Sequence, residues 1–231
     1  YLGGSDGTVH AFDAETGNSH WWIQFPGALL SSFAVARGRL YAATNRAVYT
    51  VDASRVEDSN DRGGGSGRSP VQRDRTWGSR LDTSIRGSPT VRDERVILGT
   101  DDGVVALTAA DGSVEWTTAR TETVRGSPAV TDDRVFAGTT DGEVVAYSVE
   151  GGFEQWRQSV GGRIDTAPVV ADGTLYVAAT DGTVAALSPS DGSVQWEIQR
   201  DHTAPTAPHA LDGRLYLADW DGTLSALLSP N

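Results

Sequence analysis

The sequence predicts an all-β fold, a β-propeller of four-stranded antiparallel blades, and three observations predict it. First, the stretch Ala11 to Trp21 recurs as Ala106 to Trp116, Ala146 to Trp156 and Ala186 to Trp196, each copy with Gly four residues before its Trp. The last three copies start 40 residues apart, a period that marks an array of supersecondary units. Second, Pro89, Pro128, Pro168 and Pro208 stand 17 or 18 residues ahead of Ala106, Ala146, Ala186 and Ala226, and Phe33 takes the Pro place in an earlier copy. Third, one unit holds four short apolar runs, Ser127 to Val130, Arg134 to Gly138, Val144 to Ser148 and Phe153 to Arg157. They are separated by Thr-Asp-Asp, Thr-Asp-Gly and Glu-Gly-Gly, which close tight hairpins. No window of ten residues keeps a 3.6-residue apolar period without Gly or Pro, so helix has no foothold. Four strands in about 40 residues, repeated radially, is the pattern of a propeller blade.

With the strands lettered A to D from the inside outwards, Tyr1 to Gln24 supplies B, C and D of one blade. Complete units follow at 31–80, 87–118, 126–158 and 166–198, and 206–228 supplies A, B and C of the last. Six B and C strands with five A and five D strands do not close neatly, although closure is what removes the edges of a propeller. The expectation is a piece of a larger ring of seven or eight blades; a six-bladed ring with two thin end blades is the competing reading. The uninterrupted repeat argues for one domain over 1–231. Its one interruption, 54–75, is about 17 residues longer than the matching connections and carries Gly63-Gly-Gly-Ser-Gly and five Arg. It reads as a flexible loop between strands C and D. Glu57, Asp58, Asp61 and Asp74 interleave with those arginines and argue against a nucleic-acid arm.

The chain carries 31 acidic residues, 22 of them Asp, against 19 basic ones, all Arg, for a formal net charge of −12; Lys, Cys and Met are absent. Such a surface is heavily hydrated and self-repelling until salt screens it. It resembles haloarchaeal composition. The acidity counts against DNA, RNA or an anionic membrane as main partner, and no stretch approaches the length of a membrane span. A signal or lipid anchor upstream of Tyr1 would not be visible. Without Cys there are no disulfides and no thiolate metal sites.

The motif Ala-x-Asp-x-x-Thr-Gly-x-x-x-Trp at 11–21, with its looser copies, resembles the tryptophan-docking repeat of the pyrroloquinoline-quinone (PQQ) family of propellers, and the resemblance covers nearly the whole chain. It puts Trp21, Trp77, Trp116, Trp156 and Trp196 in the docking slot, where an outer-strand indole lies flat on the neighbouring blade. It says little about activity. The family includes quinoprotein dehydrogenases and also cofactor-free scaffolds, such as the BamB-type outer-membrane assembly lipoprotein and sensor domains attached to kinases. In the dehydrogenases the resemblance implies PQQ stacked between a Trp and a vicinal disulfide, with calcium held by Glu, Asn and Asp. Here the disulfide cannot exist, and Asn18, Asn45, Asn60 and Asn231 all lie outside strand A and the loops leading to it. The resemblance therefore implies a binding or scaffolding module on or outside the cell. No cofactor is expected, and a PQQ-and-calcium quinoprotein remnant or a sensor domain stands as the alternative.

The candidate binding residues are those the repeat leaves unexplained, on the face shared by D-to-A connections and B-to-C hairpins. Arg86 and Arg125 occupy the same place three residues before the strand-A Pro, and Arg163 lies in the next connection. Together they would hold an anion, a carboxylate ligand or an acidic peptide; local pairing with Asp82, Glu122 or Asp165 is the plainer reading. Trp220 replaces Asp101, Thr140 and Thr180 at a hairpin tip, either to stack on a partner or to pack on a neighbouring blade, and His202 lies in the preceding connection. The four His residues have no zinc-like spacing. Asp-Gly at 6, 141, 181 and 221 suits type I′ turns better than calcium, since no twelve-residue ligand loop closes with Glu. No nucleophile elbow, P-loop, dinucleotide fingerprint or His-Glu-x-x-His occurs, so no catalytic residue is assigned. The expected partner is a protein or small anion at the loop face.

Overall fold

A computed structural model of the chain describes residues 1–29, 31–54, 71–119, 122–201, 206–219 and 222–228, and among these all regular structure is strand. The chain divides into two compact units, Tyr1–Asp82 and Thr83–Asn231.

The first unit holds two sheets. One runs β1 (Leu2–Gly3), β2 (Thr8–Phe12), β3 (Ser19–Gln24) and then β7 (Val71–Gln72); the other runs β4 (Ala34–Ala36), β5 (Arg39–Ala43), β6 (Ala47–Asp52) and β8 (Trp77–Arg80). Val9, Ala11, Trp21, Ile23 and Phe25 of the first sheet share one core with Leu40, Ala42, Tyr49 and Val51 of the second. The fourth strand of the first sheet differs from the sequence reading. It comes from the end of the 54–75 insertion and pairs with β3 in parallel, Trp21 opposite Val71 and Trp22 opposite Gln72. Of that insertion, residues 55–70 lie outside the described residues.

The second unit holds four sheets in chain order. These are β9 (Thr90–Arg92), β10 (Arg95–Thr100), β11 (Gly103–Thr108) and β12 (Val114–Thr117); β13 (Ala129–Val130), β14 (Arg134–Gly138), β15 (Glu143–Ser148) and β16 (Glu154–Ser159); β17 (Val169–Ala171), β18 (Thr174–Ala178), β19 (Thr183–Leu187) and β20 (Val194–Gln199); and β21 (His209–Leu211), β22 (Arg214–Ala218) and β23 (Leu224–Leu228). Except in the last sheet, where β22 is half-buried, strands B and C are buried almost throughout, as in Val96 to Thr100 and Gly103 to Leu107. Their sequences are accordingly continuous apolar runs, while the outer β20 alternates Val194, Trp196 and Ile198 with Gln195, Glu197 and Gln199. Inner strands are tied sideways: Thr90 Oγ1 donates to the Pro128 carbonyl at 2.8 Å, and the Ser88 amide donates to Ser127 Oγ at 2.8 Å.

The Ala and Trp of the repeat are cross-strand partners. Ala11 faces Trp21, Ala106 faces Trp116, Ala146 faces Trp156 and Ala186 faces Trp196, each beside a register shift just after the Ala. A methyl opposite an indole leaves the ring free to reach the next blade. Trp116 is buried, its Nε1 donates to the Val149 carbonyl at 3.0 Å, and its ring lies on Gly152 of the following C-to-D turn. Trp156 repeats this on Gly192, donating to the Pro189 carbonyl at 3.0 Å. A Cβ on Gly152 or Gly192 would fall 2.5 Å from the ring, and both residues have positive φ, +66° and +76°. Trp77 and Trp196 sit tilted against Tyr41 and Tyr176, with centroids 6.1 and 6.0 Å apart.

The turns correct one expectation. At the Asp-Gly hairpins Gly7, Gly142 and Gly182 have positive φ whereas Asp6, Asp141 and Asp181 do not; Gly222 has positive φ too, and Asp221 lies outside the described residues. Gly7 N–H bonds the Gly4 carbonyl while Gly4 N–H bonds the Thr8 carbonyl, the pattern of a type I turn with a bulge. The type I′ turns are the A-to-B hairpins Arg37-Gly38, Asp172-Gly173 and Asp212-Gly213, where both residues have positive φ. The reason is packing. A Cβ on Gly142 would meet the Gly161 carbonyl oxygen at 2.0 Å, so the bulge glycine is where the following connection lies against the hairpin.

Candidate functional site: the connection and hairpin face of the second unit

Backbone hydrogen bonds interleave the D-to-A connections with the B-to-C hairpins. Val124 N–H donates to Thr100 O of one hairpin at 2.9 Å, and Thr140 N–H of the next hairpin donates to Thr123 O at 3.0 Å. One blade on, Ile164 N–H donates to Thr139 O and Thr180 N–H donates to Arg163 O. Each connection is therefore held between two successive hairpins, and the charged side chains it carries reach neighbours in either blade.

That weave decides the partners of the predicted arginines. Arg86 forms a two-pronged pair with Asp101 of its own blade's hairpin, Nε to Oδ1 and Nη2 to Oδ2 both at 2.6 Å. The Arg86 guanidinium holds the Asp101 carboxyl below the usual carboxylate range, and the Asp101 hydrogen bond raises Arg86 in turn. Arg163 Nη2 hydrogen-bonds Asp165 Oδ2, and Arg125 Nε lies 3.9 Å from Asp165 Oδ1, which is buried without a hydrogen bond. The structure thus sets Arg86, Asp101, Arg125, Asp165 and Arg163 in one alternating series, three cations and two anions. The side chains of Arg86, Arg125 and Arg163 remain 39%, 43% and 48% exposed. Local pairing is the rule, as the plainer reading holds, but with different partners: Arg86 takes Asp101, and Arg125 takes Asp165 rather than Glu122. Arg125 differs from the other two in making no side-chain hydrogen bond among the described residues, and its side chain is 43% exposed.

Glu122 is engaged elsewhere. Arg157, 15% exposed, gathers Glu154, Glu122 and Glu143, with Nη2 at 3.0 Å from Glu154 Oε2 and Nη1 at 2.9 Å from Glu122 Oε2. The hydrogen bonds it donates to Glu154 first, then to Glu122 and Glu143, raise its pKa well beyond the ordinary arginine value. This hub ties the connection that carries Arg125 to strand β16. Next along, Arg200 Nη1 and Nη2 meet Asp219 Oδ1 and Oδ2 at 3.0 and 2.8 Å, and Nη2 also donates to Ser225 Oγ at 2.8 Å; the side chains are 9% and 2% exposed. Arg157, Arg200 and Asp219 were outside the sequence-based candidates. Asp101 and Asp219, both at B-to-C turns, each take a guanidinium, from Arg86 and Arg200. His202 and Trp220 lie outside the described residues.

The chemistry available here is recognition of charge. Among the described residues no three His, Asp or Glu converge as a metal-binding group. A cleft beside Trp196, lined by Tyr176, Ala210, Arg214 and Leu215, has a volume of about 10 Å³, room for about one water molecule. Any anion at the predicted arginines would share Arg86 and Arg163 with Asp101 and Asp165.

Residues 1–58, 74–152 and 121–229 match the family profile of outer membrane protein assembly factor BamB. Among solved structures, BamB from Moraxella catarrhalis superposes with a TM-score of 0.78 at 18% identity, covering 98% of this chain and 69% of that one. The computationally designed Ika8 protein gives 0.61 at 15% identity over 98% of this chain and 79% of its own. The designed Ika4 protein gives 0.56 at 20% identity over 64% and 92%. No curated protein matches by sequence. The fold class read from the repeat, an all-β propeller of antiparallel blades, is the observed one.

Proposed function

The chain belongs to the PQQ-like repeat family of outer membrane protein assembly factor BamB, and on that premise we propose that it is a non-catalytic propeller acting as a binding or scaffolding module for a protein partner at the cell surface. The observation that carries this reading is the alternating ionic series Arg86, Asp101, Arg125, Asp165 and Arg163, exposed on an interleaved and therefore rigid loop face. Preformed loops lose little entropy on association, and a carboxylate of the partner completes the open fork of Arg125. An excess of one positive charge in this series, on a chain of net charge −12, gives an acidic partner a place to dock. The acid-rich, lysine-free composition supports an encounter in concentrated salt, where long-range steering is screened and short bidentate contacts decide the register.

The test is site-specific photo-crosslinking in molar salt. A photoreactive residue at Arg125 or Arg163 is expected to capture a protein partner, and one at Asp172, in an A-to-B turn, is expected not to. Equal capture from all three positions, or saturable binding of PQQ with calcium abolished by Arg86→Ala with Arg125→Ala, would overturn the reading in favour of the quinoprotein alternative or a nonspecific surface.

A further inference from the structure

In the second unit, the C-to-D turn of each blade receives the indole of the blade before it: 149–152 receives Trp116 and 189–192 receives Trp156. In the first unit the C-to-D connection is the insertion, and its described end does the same job by other means. Arg73 N–H donates to the Trp22 carbonyl at 2.9 Å, extending the parallel pairing of β7 with β3. The Arg73 guanidinium lies 5.6 Å from the centroid of the Trp21 ring, donates from Nη2 to the Ser54 carbonyl at 2.7 Å and sits 3.8 Å from Asp52 Oδ2. Its side chain is only 16% exposed, and its Nε is buried without a hydrogen bond. Trp21, Asp52 and the Ser54 carbonyl therefore form a built socket for a guanidinium: an aromatic face, a carboxylate and a carbonyl, the three partners this cation favours.

The strand that delivers Arg73 is short. β3 spans six residues, and on its outer side only Trp21 and Trp22 have strand partners among the described residues. An incoming extended segment that covered more of β3 would gain ladder hydrogen bonds that β7 does not make. We propose that the outer edge of β3, with Trp21, Asp52 and the Ser54 carbonyl, is an acceptor site for an extended, arginine-bearing segment, and that Val71–Arg73 fills it in cis as a displaceable strap. The site lies in the first unit and uses none of the residues of the proposed partner face, so the two readings stand or fall separately.

The experiment follows the fluorescence anisotropy of a labelled peptide, Pro-Val-Gln-Arg-Asp-Arg-Thr, the sequence of residues 70–76, titrated with the full chain in molar salt. A tethered strap competes at an effective concentration on the order of millimolar, so wild type is expected to bind the peptide weakly. The Arg73→Ala chain should bind about tenfold or more tightly, and replacing the first arginine of the peptide by alanine should abolish that gain. A folded Arg73→Ala chain that binds no better than wild type, or binds both peptides alike, overturns the proposal and leaves the insertion a fixed internal clasp. If Arg73→Ala does not fold, Arg73→Lys keeps a cation over Trp21 but loses the fork; an intermediate gain supports the site, and no gain refutes it.

Discussion

Gly152→Ala tests the contact between blades most sharply, because two separable costs meet at one atom. Gly152 sits at φ +66°, and the added Cβ would lie 2.5 Å from Cε3 of Trp116. Placing an L-residue in the left-handed region costs about 1–2 kcal/mol. Forcing a methyl into a packed ring costs about 1–3 kcal/mol more, so the substitution should destabilise by roughly 2–5 kcal/mol. Trp116→Ala alone removes a buried indole and its hydrogen bond to the Val149 carbonyl, at a cost of about 3–5 kcal/mol. In the Trp116→Ala background the clash is gone and only the backbone term remains, so Gly152→Ala should then cost about 1–2 kcal/mol, leaving a coupling of roughly 1–3 kcal/mol. Urea unfolding at constant molar salt, with the slope checked for constancy across the four proteins, measures all four corners. Equal costs of Gly152→Ala in the two backgrounds would refute the idea that this glycine is present to receive the ring.

Arg200→Ala strips Asp219 of both guanidinium hydrogen bonds while its side chain stays nearly sealed from water, so it should destabilise by about 3–5 kcal/mol, and Arg200→Met with Asp219→Leu should recover most of that loss in the same unfolding assay. Asp13 and Asp111 are held down to about 2 from 3.8, chiefly by the Thr16 amide and by the Thr108 hydroxyl. A depressed carboxyl contributes stability above its unfolded pKa and loses it as pH falls through the folded one, so both turns should weaken between about pH 4 and 2. An acid titration of Asp111→Asn followed by circular dichroism should show a shallower decline in that window than wild type. With a net charge of −12, thermal stability should rise as salt is raised from about 0.1 to 1 M, where the screening length falls from about 10 to 3 Å; a midpoint that does not move would remove charge repulsion from the account.

The repeat made most of the architecture legible before any coordinates. Arg134 to Gly138 is a strand in both readings, and the other boundaries of that blade moved by at most two residues, because strand runs and turn residues are local signals. The turn type at Asp-Gly was not legible, since it follows from the Gly161 carbonyl pressing on Gly142, 19 residues away in sequence. Nor was β7 legible: two residues at the end of a polar insertion have no strand signature, and only the free edge of β3 makes them one.

By itself the sequence determined the blade, its four strands and the apolar character of the middle two, because all of these are periodic and lie within about 40 residues. Tertiary structure alone decided who meets whom at the loop face. Arg86, Arg125 and Arg163 were evident as cations and Asp165 as a local partner, yet connections lying between two hairpins give Asp101 to Arg86 and bring Arg125 to Asp165 as well, by packing rather than by spacing. The same holds for Trp21: its place in the repeat could be read, but the arginine covering it arrives from 52 positions away in the chain, carried there by a strand that exists only once the edge it pairs with has formed.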